Sequence, residues 1–161
     1  MLLGCKVGKN FKCLTFPRFR VLPKKNIFIG DNVTIGENIL FEVIETGKLS
    51  IGNFVNLTRN IVICVNESIT IGNDVLIAEN VSIRDGEHQT RKQEKIWKQS
   101  NHTKNVVIGN DVWIGAFTIV LQGSNIADGV VIGAQSLVKN KQLESYTVYA
   151  GNPLRKIKER E

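Results

Sequence analysis

Between residues 106 and 139 an apolar residue returns every six positions: Ile108, Ile114, Val120, Ile126, Ile132 and Val138. Two places ahead of each stands another apolar or small residue, namely Val106, Val112, Thr118, Ser124, Val130 and Ser136. Turn-forming triplets such as Gly109-Asn110-Asp111 and Gly133-Ala134-Gln135 separate the pairs. A period of six fits neither the spacing of a helix nor the sustained alternation of an ordinary strand. It is an internal repeat, and it restricts the chain to a stacked architecture.

Upstream the ladder comes in threes: Ile29, Ile35, Phe41; then Ile51, Leu57, Ile63; then Ile71, Ile77, Ile83. The steps between sets are longer, ten residues to Ile51, eight to Ile71 and 25 from Ile83 to Ile108. Insertions therefore fall only after every third repeat. A fainter first set, Val7, Cys13 and Phe19, has Pro17 against it. In Val33-Thr34-Ile35 the outer residues share one face and Thr34 takes the other, so each hexad reads as a very short strand. The following Gly36-Glu37-Asn38 reads as a corner, because Gly and Asn tolerate positive φ. Three corners close one coil. Five to six coils at roughly 4.8 Å each make a triangular prism roughly 24–29 Å tall. A β-sandwich would need longer strands at wider spacing. The spacing does not give the hand of the coil, although parallel crossovers are usually right-handed.

After Val138 the ladder stops. Gly151-Asn152-Pro153 predicts a turn, and residues 154–161 predict one or two helical turns capping the last coil, as repeat proteins need caps. The expectation is one all-β domain over residues 1–161, with a long loop at 84–105 and a cap at 151–161.

A chain of 161 residues can bury a sizeable core. Its 21 basic and 15 acidic side chains leave a net charge of +6, which suits an anionic ligand without choosing one. No helix-turn-helix, zinc or aromatic stacking signature accompanies the charge, so nucleic acid is not an expected partner. Cys5, Cys13 and Cys64 are odd in number and lack metal-type spacing, the usage of a reducing compartment without a disulfide framework. The apolar part of residues 1–5 is short for a signal peptide and no run approaches a membrane span, so a cytoplasmic protein is expected.

Residues 84–105 form the one long interruption. Loops of that length in compact domains are usually functional or disordered. Both histidines lie here, His88 in Arg84-Asp85-Gly86-Glu87-His88 and His102 near the return, with Trp97 between them. His88 follows the ladder residue Ile83 by five positions, so the prism wall should hold its base. Asp85 and Glu87 are placed to orient an imidazole. No role can be read for His102.

Taken together, the repeat, the loop and the tail resemble the left-handed β-helix hexapeptide-repeat acyltransferases, in particular the sugar O-acetyltransferases. The resemblance covers about residues 53–160. Ile71-Gly72-Asn73-Asp74-Val75-Leu76-Ile77-Ala78 resembles the lead-in to the family's catalytic histidine, which maps to His88. Asp111-Val112-Trp113-Ile114-Gly115 resembles the tryptophan segment after the loop, and Val131-Ile132-Gly133-Ala134 and Ala150-Gly151-Asn152-Pro153 resemble the last coils and closing turn. The resemblance implies a left-handed parallel β-helix, acetyl-coenzyme A as donor, no metal, and a homotrimer with active sites between neighbouring prisms.

By that resemblance His88 is the general base for a saccharide hydroxyl. Trp113, Gly115, Ala116 and Ala134 meet the coenzyme, and Lys139, Arg155 and Lys158 lie near its phosphates. The sequence departs from the family in two places. The family's lysine after the last ladder residue maps to Asn140, between Lys139 and Lys141. An acceptor-contacting asparagine maps to Thr58, between Asn56 and Asn60. Asn56, Thr58, Asn60, Asp85 and Trp97 are the acceptor candidates, with Trp97 covering the acceptor, packing on a neighbouring subunit or burying against its own prism. The long amino-terminal segment of the free-sugar enzymes is not in this sequence, which turns the expectation towards a surface polysaccharide or its precursor. An amino group on a nucleotide-linked sugar is the alternative acceptor. Carbonic anhydrases share the prism but need three histidine ligands, against two here. A non-catalytic scaffold would predict regular outward Thr or Ser ranks, whereas Asn56, Leu76, Ser82 and Trp113 are mixed.

Overall fold

A computed structural model describes residues 4–161; the first three, part of the short apolar start, lie outside the described residues. Three parallel sheets form the walls of a triangular prism, with seven parallel strands on the first face, seven on the second and six on the third. The chain thus winds through six complete coils and two sides of a seventh, one strand per face per turn. The faint first set is a true coil, with strands Lys6–Val7, Lys12–Cys13 and Arg18–Phe19 paired to the coil above. Pro17 does not break it. As the first residue of an inward pair Pro17 is buried, while Cys13 is exposed on this coil, which has no neighbouring coil below it among the described residues.

Strand alternation explains the core. Ile69 and Ile71 are buried and Thr70 between them is exposed. Ile51, Ile71 and Ile108 stack in register on the first face. Leu57, Ile77 and Ile114 do so on the second, and Phe41, Ile63 and Ile83 on the third. Each such side chain contributes about 1.5–3 kcal/mol by leaving water. The small inward residues of the last coils are satisfied locally. The Ser136 hydroxyl donates to the Gly133 carbonyl at 2.6 Å and accepts the Gly151 N–H at 2.9 Å.

The corners divide two tasks between different residues. Positive φ falls on the residue two places after the glycine, as at Asn32, Asn38, Asp74 and Asp111. The glycine itself allows close stacking: a Cβ at Gly36 would lie 1.4 Å from the Thr58 carbonyl oxygen of the next coil. Along the first corner a side-chain ladder satisfies backbone donors. Asn53 Oδ1 accepts the Asp31 N–H, Asn73 Oδ1 that of Asn53, and Asn110 Oδ1 that of Asn73, at 2.7–2.9 Å.

The carboxyl end departs from expectation. Residues Arg155–Glu159 form a strand, not a helix, and pair antiparallel with Thr147–Ala150 on the open edge of the second face. A helix of one or two turns must bear its own nucleation cost, whereas a sheet edge offers unpaired N–H and C=O groups. Arg160 fastens the returning strand, donating to Asp111 Oδ2 at 2.8 Å and to the Gly129 carbonyl at 3.2 Å.

Candidate active site

Residues 84–105 fold into an arm that leaves the corner between the third and first faces. Gly86–His88 and Asn101–Thr103 pair antiparallel, with His88 opposite Asn101 and Glu87 opposite His102. The far end is organised by Gln99, which is buried and bonds to the Arg91 N–H and to the carbonyls of Arg91 and Glu94. Ile96–Lys98 is a short 3-10 turn. Trp97 on it is 75% exposed, so it does not bury against its own prism.

Asp85 roots the arm. It is fully buried, and its carboxylate accepts the N–H groups of Asn66 at 2.7 Å and Glu67 at 2.8 Å. Both oxygens are committed to backbone, which removes Asp85 from the acceptor candidates and from any role in orienting His88. Glu87 does not touch the imidazole either. Alternation along the strand sends it towards the last coils, where it meets Lys139 Nζ at 2.8 Å and accepts from Gln122 Nε2 at 3.0 Å. The Gln122 amide oxygen then faces His102 Nδ1 at 2.9 Å, so that nitrogen carries the proton. Lys139 chiefly, with Gln122, holds the Glu87 carboxyl below the usual carboxylate range, while burial opposes this.

His88 takes the other side of the strand. It is exposed and borders a pocket of about 340 Å³ with Asn66, Asn101 and the third-face residues Arg20, Glu42, Cys64 and Arg84. Arg20 pairs with Glu42 at 3.1 Å, and the Cys64 thiol donates to Glu42 at 3.5 Å. Burial pushes the Cys64 thiol up, away from nucleophilic use. Sequence reasoning missed this lining. Its signal is positional: Arg20, Glu42, Cys64 and Arg84 each follow the third ladder residue of a coil, and the sheet register aligns Glu42, Cys64 and Arg84.

The coenzyme candidates divide. Trp113 is half-exposed on the second face, in one outward row with Leu76, Val131 and Val148, and Lys158 pairs with Val148. Gly115 and Ala116 stack beneath Gly133 and Ala134 at the next corner, and Arg155 lies beside Ala150 on the coil above. Lys139 stands apart, on the arm's corner and engaged with Glu87. Asn56 shares Trp113's row, and with Thr58 it borders a second-face pocket of about 470 Å³. Asn60 sits at a corner, its amide oxygen accepting from Asn38 at 2.8 Å. Within one chain, therefore, the second-face candidates do not meet His88.

Stacked hexads on three parallel walls, with one histidine-bearing arm, place the chain in the left-handed parallel β-helix class. The family model described as bacterial transferase hexapeptide (six repeats) matches residues 105–140. A protein of Escherichia coli K12 named for O-acetyl transfer in lipopolysaccharide biosynthesis, WbbJ, is 33% identical over 158 residues, spanning 93% of this chain and 80% of that one. The chain belongs to the hexapeptide-repeat acetyltransferase family. Among solved structures, a variant of the Bacillus cereus N-acyltransferase AntD in complex with dTDP and coenzyme A superposes with a TM-score of 0.81 at 25% identity, covering 97% of this chain and 84% of that one. A maltose O-acetyltransferase from Clostridium difficile gives a TM-score of 0.64 at 30% identity, covering 97% and 70%. No helix among the described residues is long and apolar enough to cross a membrane.

Proposed function

We propose that this chain transfers an acetyl group from acetyl-CoA to a saccharide hydroxyl of a surface polysaccharide or its precursor. His88 takes the hydroxyl proton as the oxygen attacks the thioester carbonyl; the coenzyme thiolate departs and recovers that proton. General-base help of this kind is worth about 10²–10⁴-fold. The observation that carries the reading is the placement of His88: its ring opens onto a polar pocket, with no hydrogen bond to it among the described residues. Trp113, Gly115, Ala116, Ala134, Arg155 and Lys158 form the donor surface of the proposal, with no metal taking part. Their distance from the arm supports a homotrimer in which a neighbour's second face, with its Asn56 and Thr58 and the corner residue Asn60, completes the site, and the odd cysteine count without metal-type spacing supports a cytoplasmic setting. Trp97, exposed on the arm, is then a group for the acceptor or the neighbour.

The test is coenzyme A release across a saccharide panel, with His88→Ala and His88→Gln beside wild type and circular dichroism confirming the fold. Wild-type turnover in either folded variant would remove His88 as the base. A monomeric mass by light scattering would remove the shared site. The likeness to AntD favours an amine acceptor as the second reading, so the panel includes a nucleotide-linked amino sugar.

A further inference from the structure

Arg84 stands in the His88 pocket without a counter-charge. Its Nε–H donates to the Ser82 hydroxyl at 3.1 Å, which holds the stem and leaves the outer guanidinium nitrogens open. Two carboxylates follow it closely in sequence, yet both are turned elsewhere. Asp85 is buried under the Asn66 and Glu67 amides, and Glu87 faces Lys139 and Gln122. Glu42, the remaining acid of the pocket, is matched by Arg20 at 3.1 Å. No carboxylate among the described residues forms an ion pair with Arg84. One face of the pocket therefore presents an imidazole, and beside it an uncompensated guanidinium on a rigid strand of the third face.

We infer that Arg84 is a specificity-determining residue that recognises an oxyanion on the acceptor, next to the hydroxyl that His88 deprotonates. This rests on the proposed acetyl transfer and names its substrate class: an acidic saccharide, bearing a carboxylate or a phosphate. A guanidinium suits either group, since its planar fork offers two parallel donors. The coenzyme's own phosphates are the less favoured occupant, because the donor surface carries its own basic residues for them, Arg155 and Lys158 on the returning strand.

The experiment measures kcat/KM for methyl glucuronide, glucose 1-phosphate and uncharged methyl glucoside, and KM for acetyl-CoA, in wild type, Arg84→Gln and Arg84→Lys. Wild type is expected to prefer one charged acceptor over the glucoside by about 10–100-fold, the worth of a charge-assisted hydrogen bond. Whichever is preferred tells carboxylate from phosphate. Arg84→Gln is expected to collapse that ratio by raising acceptor KM, with Arg84→Lys intermediate. Equal use of charged and uncharged acceptors by wild type overturns the inference and leaves acetyl transfer standing. A rise confined to KM for acetyl-CoA also overturns it, assigning Arg84 to the donor. Failure of every acceptor to release coenzyme A sinks the proposed function. Direct titration of wild type and Arg84→Gln with glucuronate and with inorganic phosphate then tests the oxyanion site by itself. Glucuronate or phosphate binding lost in the variant supports an oxyanion site at Arg84, and equal binding removes it.

Discussion

The Lys139 ammonium and the Glu87 carboxylate lie 2.8 Å apart across 52 residues of chain, joining the last full coil to the arm that carries His88. Gln122 completes the bridge to His102 on the returning strand. One residue of the arm is thus locked to the prism while its neighbour faces the pocket. His102, unreadable in sequence, belongs to this network through its 2.9 Å contact with Gln122.

If this lock positions His88, Glu87→Gln and Lys139→Met should lower kcat by a similar factor, about 2–5-fold, the worth of a part-exposed ion pair. Trypsin at pH 8 should also cut the exposed arm, at Arg91, Lys92, Lys95 or Lys98, faster in both variants. A Lys139 variant that raises KM for acetyl-CoA, with no such change from Glu87→Gln, would return Lys139 to the coenzyme's phosphates.

The lock has a defined pH range. Glu87 titrates lower in the folded chain than its ordinary value of 4.5, chiefly through the bond from Lys139. Its stabilisation is therefore complete above that ordinary value and drains as pH falls through the lowered folded one. Lys139, Gln122 and His102 are the groups around it, and His102 Nδ1 donates to Gln122 whether or not the ring is charged. Amide-exchange protection of residues 86–88 and 101–103 should hold steady from pH 7 to 5 and fall below about 4, with Glu87→Gln removing the step.

Ser136 is buried between two backbone partners. Ser136→Ala strands the Gly151 N–H beside the closing turn and should cost about 1–3 kcal/mol in chemical denaturation. The exposed Thr70→Ala, as control, should change stability by no more than about 0.5 kcal/mol, because water replaces whatever its hydroxyl gives up.

The returning strand should matter for solubility as well as for the donor surface to which Arg155 and Lys158 belong. Arg160→Ala loses a part-exposed ion pair and should cost no more than about 1 kcal/mol. Deleting residues 155–161 uncovers the edge of Thr147–Ala150 and should produce concentration-dependent association in light scattering, since an open edge pairs with other chains.

The six-residue ladder was enough to specify a prism, its three faces and the corner from which the arm departs. That information is local: each Ile or Val need only point inward from a short strand, and the stacked residue of the partner coil lies 17–22 positions away in sequence, or 37 where the arm intervenes. Even Pro17 and the faint first coil obey it. Residues 154–161 carried no comparable period, and a sheet edge supplied by Thr147–Ala150 turned an expected helix into a strand. The outward side chains were legible by type but not by company. Asp85 and Glu87 looked like partners of His88, yet one is buried under Asn66 and Glu67 and the other is drawn to Lys139. Only stacking decides such encounters, because coil height and strand alternation, not sequence distance, set which charges lie within hydrogen-bond reach.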